Sequence, residues 1–295
     1  MFDYRYHALS LAAVLLALAV GVLIGVAIGD SNLVSSAKNG IVHNLESEVD
    51  GAQQQAGTLQ TKLSSQETFA NDLYPIAVHG VLAGRDIGLV FFGGSSNQVN
   101  GLVRDSVTQA GGSLATVVTV REPMDLTGLA QGMEGTPYAG IATDPELVHK
   151  FGGLAGRQLV SGGALVNQEL LSRVRGQLLS AFDGQLGKLE GLVVMRSEPT
   201  GMTPEQIEAS TAFESGLIAG VTAVGVPVVG VELSSTEPSQ VPWYKSQGIS
   251  SVDDLDSLAG QTALVYALAG SHGAYGIKPT ADSLLPTATS GSIQP

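Results

Sequence analysis

A long run of apolar positions dominates the first thirty residues of the chain. From Ala8 to Ile28 there is no charged residue, and Ser10 is the only polar side chain. About 21 residues at 1.5 Å each span about 31 Å as a helix, which matches the hydrocarbon core of a bilayer. The run therefore predicts a transmembrane anchor over residues 8–29. A cleaved signal peptide is the alternative, although its apolar region is shorter, about 7–15 residues.

Charges and small residues around this run predict how it is placed. Arg5 precedes it and Asp30 follows it. A basic residue on this side favours a cytoplasmic tail over residues 1–7 and an extracytoplasmic location for everything after the anchor. Small residues at every fourth position predict a helix–helix interface, although alanine and glycine are common in membrane helices generally. These residues are Ala13, Ala17, Gly21, Gly25 and Gly29.

A second pattern, with apolar residues at alternating steps of three and four, follows the anchor. This is the a/d spacing of a coiled coil, and it predicts a helical stalk over residues 30–74 that pairs into a homodimer. Gly40, Gly51 and Gly57 each weaken such a helix by about 1 kcal/mol relative to alanine. A single amphipathic helix that packs on the globular domain is the alternative. The seam consists of Val42, Leu45, Val49, Ala52, Ala56, Leu59, Leu63, Gln66, Ala70 and Leu73.

Beyond residue 80, short apolar runs alternate with amphipathic stretches. This alternation predicts an α/β domain over residues 80–278, with a mainly parallel sheet of about five strands flanked by helices. A long loop anchored by Trp243 and Tyr244 is expected at 232–249, and a disordered tail at 279–295. Strands are predicted at 87–92, 114–120, 191–195, 226–231 and 262–268, and helices at 99–110, 145–151, 167–186, 203–223 and 251–258.

Composition removes several classes of function. The chain contains no cysteine, which excludes a disulfide scaffold, a thiolate zinc site and a cysteine nucleophile. Its formal net charge of −13 repels phosphate backbones, so we expect no nucleic-acid partner. Neither GxSxG nor HExxH occurs, and we expect no enzymatic activity and no catalytic residues.

Two glycine-rich loops are candidate binding sites. Residues 92–97 follow the first predicted strand, where backbone N–H groups at a helix N-terminus attract anions, but a plain capped turn explains them equally well. Residues 270–276 contain His272 and follow the last predicted strand, and an exposed loop is the alternative. The paired acidic residues Glu46/Glu48 and Asp253/Asp254 are expected on solvated helix faces.

The soft donors that Cu(I) prefers are scattered along the chain. No two histidines lie within one helical turn, and no Met-x-x-Met motif occurs. No cofactor is evident, and no metal ligands can be assigned. Met195 falls inside a predicted strand and is expected in the core. The histidines are His7, His43, His79, His149 and His272, and the methionines after the first are Met124, Met133, Met195 and Met202.

Two stretches resemble the actinobacterial MctB family of copper transporters. The first is Tyr6–Val14, continued by Ala17–Ala19 and Gly21–Gly25. The second is Ile249–Asp256, which precedes the apolar segment 264–268 and the Gly/His loop. The order of membrane helix, coiled coil and α/β domain is also similar.

The resemblance implies a location in the cell membrane and a role in copper transport or homeostasis, with copper as the implied ligand. Through SteB-like relatives it also implies an alternative, a non-enzymatic scaffold that binds a membrane partner of SteA type in cell separation. It assigns no functional residue in this chain.

Overall fold

A computed structural model describes residues 4–29, 31–162, 168–185, 187–197 and 200–287, without the side chains of 31–37 and 168–170. The chain divides into two compact units, Met1–Thr68 and Phe69–Pro295. Four parts of the sequence predictions lie outside the described residues: the start of the cytoplasmic tail, Asp30, the two end residues of the predicted helix 167–186, and the end of the C-terminal tail from residue 288.

The first unit consists of helix, as the apolar patterns predict. Helix α1 spans Tyr4–Ile28, and among the described residues it alone is long and apolar enough to cross a membrane. Its side chains are all exposed, and a Cβ added at Gly21 or Gly25 would meet nothing within 4 Å.

Helix α2 spans Ser31–Val78 and continues through Pro75, past the predicted end of the stalk. Its larger apolar seam residues are between 42% and 65% exposed. The described chain thus leaves the small-residue stripe and most of the seam uncovered, and pairing through either one stays a prediction. The larger seam residues are Val42, Leu45, Val49, Leu59, Leu63 and Leu73.

The second unit is an α/β fold, which confirms the predicted fold class. Its seven-stranded sheet has the order β3-β2-β1-β4-β5-β6-β7, and all neighbouring strands are parallel except β2 and β3. The strands are β1 (Asp86–Phe92), β2 (Ser113–Val120), β3 (Leu179–Gly184), β4 (Gly191–Arg196), β5 (Val228–Val231), β6 (Ser250–Val252) and β7 (Ala274–Tyr275). The helices are α3 (Asn97–Gln109), α4 (Leu126–Gly132), α5 (Pro145–Ser161), α6 (Gln168–Leu178), α7 (Pro204–Thr222), α8 (Val241–Ser246) and α9 (Leu258–Leu268).

Local signals placed several of these elements correctly. Thr203 caps α7 by accepting a hydrogen bond from the Gln206 backbone N–H, and the Gln206 side chain accepts one from the Thr203 N–H. Pro204 occupies the first helical position, where a missing N–H has no consequence.

Four predicted elements are wrong, and the sheet has seven strands where about five were predicted. Residues 179–184 do not continue a helix but form the antiparallel edge strand β3. Residues 262–268 belong to helix α9 and not to a strand. The segment 263–268 is a short apolar run, and periodicity cannot distinguish a buried helix from a buried strand in such a run. The segment predicted as a helix over 251–258 begins instead in strand β6, and the predicted loop 232–249 contains helix α8.

Hydrophobic cores cover both faces of the sheet. One core lies under α4, α5, α6 and α7, and the other lies under α3, α9 and the end of α2, where Tyr74 and Val78 are buried. Helices α5 and α7 cross at backbone contact. A Cβ added at Gly216 would lie 2.1 Å from the His149 carbonyl oxygen, and one added at Gly156 would lie 2.2 Å from that of Leu217. Only glycine fits at these crossing points.

Candidate functional site

Charged residues follow the parallel strands at their carboxyl ends. Arg196 ends β4, Glu232 follows β5, Asp253 follows β6, and Glu122 lies two residues beyond β2. The strand order reverses between β1 and β4, and ligands of doubly wound sheets bind in the crevice at this position. The carboxyl edge of the sheet is therefore the candidate functional site.

The Arg196 cluster, formed by Arg196, Glu214, Glu122, Gln240 and Trp243, lies at this edge. The Arg196 Nε donates to Glu214 Oε2 at 2.7 Å, and one terminal nitrogen donates to Gln240 Oε1 at 2.7 Å. The side chains of the ion pair are 9% and 1% exposed. The guanidinium carbon lies 4.8 Å from the centre of the Trp243 ring, which adds a cation–π contact. Both charges are thus buried and paired.

A second carboxyl group, that of Glu122, faces Glu214 within the cluster. No other donor in the described part of the chain reaches Glu122 Oε1 or Glu214 Oε1, so a hydrogen bond between the two carboxyl groups requires a proton on one of them. Burial, and then the hydrogen bond and the charge of Glu214, raise the pKa of Glu122 to about 9, although Arg196 opposes this shift. Burial also raises the pKa of Glu214, while the adjacent Arg196 lowers it. We assign the proton to Glu122, because Glu214 is the carboxyl group that pairs with the Arg196 guanidinium at 2.7 Å.

The Lys278 cluster, formed by Lys278, Glu232, Ser239 and Asp253, adjoins the first. Lys278 Nζ donates to Glu232 Oε1 at 2.7 Å, and these side chains are 10% and 1% exposed. Ser239 Oγ donates to the same oxygen at 2.8 Å, and the backbone N–H of Gln240 donates to the other oxygen of Glu232. Asp253 accepts from the backbone N–H of Ile277 at 2.8 Å. These bonds fasten the segment after β7 to the carboxyl edge of the sheet.

Both candidate loops border these clusters. The first contains the cap of a helix, and the second contains a short strand. In the first loop Ser96 caps α3 by accepting from the Val99 N–H at 3.2 Å, which matches the capped-turn alternative. A Cβ added at Gly93 of this loop would lie 2.8 Å from Glu122 Oε2. The second loop follows α9, contains β7, and ends at Gly276 against the Asp253 carboxylate.

Asp253 and Asp254 overturn the expectation of a solvated helix face. Both are fully buried in the turn after β6, where Asp254 Oδ2 accepts from Ser257 Oγ at 2.6 Å. Glu46 and Glu48 are exposed on α2, as expected.

The described residues include the histidines and methionines that the sequence offers as softer donors. All five histidines are exposed, and no group of three or more His, Asp or Glu side chains suited to a metal ion occurs among the described residues. Met124 and Met133 are buried in the first core, and Met195 packs against the second core, as expected.

The chemistry of the two clusters is that of buried ion pairs beside one carboxyl group, that of Glu122, whose pKa is raised. The guanidinium at the centre of the Arg196 cluster repels a cation. The carboxylate and amide oxygens of the cluster are harder ligands than Cu(I) prefers, so this cluster does not fit copper. Sequence reasoning missed Glu122, Arg196, Glu214, Glu232 and Lys278. A usable signal existed in the charged residues that directly follow the apolar runs of β4, β5 and β6.

Comparisons with known proteins connect the whole chain to one family. The family model described as "Copper transport outer membrane protein, MctB" matches residues 1–286. A protein of Mycobacterium bovis named "Copper transporter MctB" is 25% identical over 291 residues, which cover 91% of this chain and 92% of the relative. The proteins of that name from two Mycobacterium tuberculosis strains match equally well.

Proposed function

The chain belongs to the MctB family, and we propose that, like the relatives named copper transporters, it serves copper transport or homeostasis at the cell envelope. The observation that carries this proposal is the family match over residues 1–286, which includes both the apolar helix and the α/β unit. In this role copper is the transported ion and not a resident cofactor, and the protein acts without catalysing a reaction.

Deletion of the gene tests this role. We expect the deletion strain to lose copper tolerance and to change its cell-associated copper content, with both restored by the full chain. Zinc tolerance serves as the control, because general envelope damage would lower both tolerances. Unchanged copper tolerance and copper content in the deletion strain would contradict the proposal.

The proposed topology is a single-pass anchor with the α/β unit outside the cell. Support comes from the uncovered apolar surface of α1 and from Arg5 on its N-terminal side. The chain has no cysteine, so single cysteines can report accessibility without background. A membrane-impermeant maleimide applied to intact cells should label Glu208→Cys, which lies on the exposed face of α7, and should not label Tyr4→Cys. The reverse pattern would invert the topology, and release of a trimmed chain into the medium would indicate a cleaved signal peptide.

A second role, that of a dimeric scaffold for a membrane partner of SteA type in cell separation, is supported by a different observation. Leu45, Val49, Leu59 and Leu63 are more than half exposed on α2 at coiled-coil spacing, and a second copy of α2 would cover them. Cysteines at Leu59 should form disulfide-linked pairs in membranes, whereas cysteines at Gln60, which lies off the seam, should not. Normal septation in a copper-sensitive deletion strain would exclude the scaffold role, and a septation defect with normal copper tolerance would favour it over copper transport.

A further inference from the structure

A cavity of about 130 Å³ lies in the α/β unit between the sheet and helices α5, α6 and α7. It shares no lining residue with the Arg196 or Lys278 cluster. Its size is close to that of cavities of about 150 Å³ that hold a benzene molecule. Its walls are mostly apolar, and they include Val90, Val118, Leu159, Leu178, Phe213 and Leu217.

One buried polar side chain, Gln158 of α5, interrupts this apolar wall. Gln158 is 4% exposed, and neither its Nε2 nor its Oε1 has a hydrogen-bond partner in the part of the chain that the structure describes. A buried amide without partners is unfavourable because it has lost its bonds to water. An all-apolar occupant would leave this amide unsatisfied, whereas a polar group at one end of an apolar ligand could form a hydrogen bond with it.

The opening of the cavity carries a positive charge. Arg175 of α6 lines the cavity and is exposed, and its guanidinium carbon lies 4.2 Å from the centre of the Phe182 ring. Phe182 is half-buried on the edge strand β3 and also lines the cavity. An anionic group at this opening meets a cation in a protein whose net charge is −13.

We propose that this cavity binds the acyl chain of a small anionic amphipath, supplied either by a free fatty acid or by an anionic membrane lipid. The chain fills the apolar space, an oxygen of the head group accepts a hydrogen bond from Gln158 Nε2, and Arg175 attracts a negatively charged head. Neither a free hydrocarbon nor a cationic amphipath meets all three conditions. The site is independent of the proposed role in copper transport.

Equilibrium dialysis of radiolabelled octanoate against the full chain in phosphatidylcholine nanodiscs tests the site. Empty nanodiscs give the partition into lipid, which is subtracted. We expect saturable binding of octanoate at least tenfold tighter than that of octylamine, which has the same chain and the opposite charge. The absence of saturable binding to the wild-type chain would overturn the proposal.

Three variants assign the binding to this cavity. Ala155→Leu fills the space and should weaken octanoate binding at least tenfold. Gln158→Leu removes the unpaired amide and should weaken binding about fivefold, while the thermal midpoint stays the same or rises. Arg175→Gln should abolish the preference for octanoate over octylamine.

The matched control is Gly176→Ala, which adds a methyl group next to Arg175 where nothing lies within 4 Å. Octanoate binding unaffected by both Ala155→Leu and Gln158→Leu would place the ligand elsewhere and refute the site.

A competition arm identifies the source of the acyl chain. Displacement of octanoate by dihexanoylphosphatidylglycerol, which is anionic, supports a membrane lipid as the donor of the chain, and displacement by free fatty acids alone supports a free acid. The wild-type chain should also release an acyl species that mass spectrometry detects in greater amount than in the Ala155→Leu chain from the same membranes. Equal amounts from the two chains would contradict occupancy of the cavity.

Discussion

The two units of the chain differ in where they place energetically unfavourable side chains: one exposes apolar residues, and the other buries charged ones. In the first unit, α1 and the α2 seam leave apolar side chains exposed, with Leu9 at 75% and Leu59 at 65%. In the α/β unit, two ion pairs are buried with side chains no more than 10% exposed. The α/β unit thus pairs these buried charges internally, whereas the helical unit leaves apolar surface that only a further contact can cover. Stability experiments on the second unit and association experiments on the first should therefore give separate results.

The largest expected effect follows from removing one partner of a buried ion pair. Arg196→Met leaves Glu214 charged, buried and unpaired, and should lower the free energy of unfolding of the α/β unit by about 3–5 kcal/mol. Circular dichroism and denaturant titration measure this loss. The exposed pair Lys150–Glu146, at 2.7 Å, is the matched control, and Lys150→Met should have little effect. Equal effects of the two substitutions would show that the Arg196 cluster is not buried as described.

The next effect concerns the crossing of α5 and α7. Gly216→Ala places a methyl group against the His149 carbonyl oxygen, and the helices must separate, with a loss of about 1–3 kcal/mol of unfolding free energy. Gly101→Ala in α3 adds the same methyl group where nothing lies within 4 Å, and should stabilise the chain by up to about 1 kcal/mol. The thermal midpoints of the Gly216→Ala and Gly101→Ala variants, measured by Trp243 fluorescence, compare the two effects. A neutral Gly216→Ala would contradict the backbone contact.

A smaller effect depends on pH. The pKa of Glu122 is about 9 in the folded chain and near 4.5 in an unfolded one, so between these values the folded state binds more protons. The unfolding free energy should therefore fall as pH rises from about 5 to 9. Glu122→Gln keeps a donor for Glu214 and should lose this slope, with a gain of about 2 kcal/mol at pH 8 after allowance for partial exposure. Glu208→Gln on the exposed face of α7 is the control. A variant with the wild-type slope would mean that Glu122 does not hold the proton.

The difference between the units also explains what could be predicted from the sequence. An uninterrupted apolar run, a three-four spacing and the Thr203–Pro204 cap are local signals, and a helix lies where each of them predicted one. Strand β3 is mostly exposed and directly follows a helix, and α9 ends in a short apolar run, so neither has a period that identifies it.

The candidate site resisted prediction for a different reason. Glu122, Arg196 and Glu214 lie far apart along the chain and meet only because β2, β4 and α7 converge at one edge of the sheet. The topology of the sheet determines which residue pairs with a buried charge. A sequence pattern can therefore identify one residue of such an ion pair but not the other. The charged residues after β4, β5 and β6 could have indicated the edge but not the partners.

The smallest expected change in stability comes from the α2 seam, and it separates the two interpretations of that helix. Leu59→Glu places a charge on a residue that is 65% exposed, so the unfolding free energy of the α/β unit should change by less than about 0.5 kcal/mol. If α2 pairs with a second copy, the same substitution should reduce chemical crosslinking between copies at least tenfold, because two charges then meet in the seam. Gln60→Glu adds the same charge off the seam and should leave crosslinking intact. If Leu59→Glu instead lowers the thermal midpoint of the α/β unit and leaves crosslinking unchanged, then α2 packs on its own globular domain, and the uncovered seam is not a surface for association.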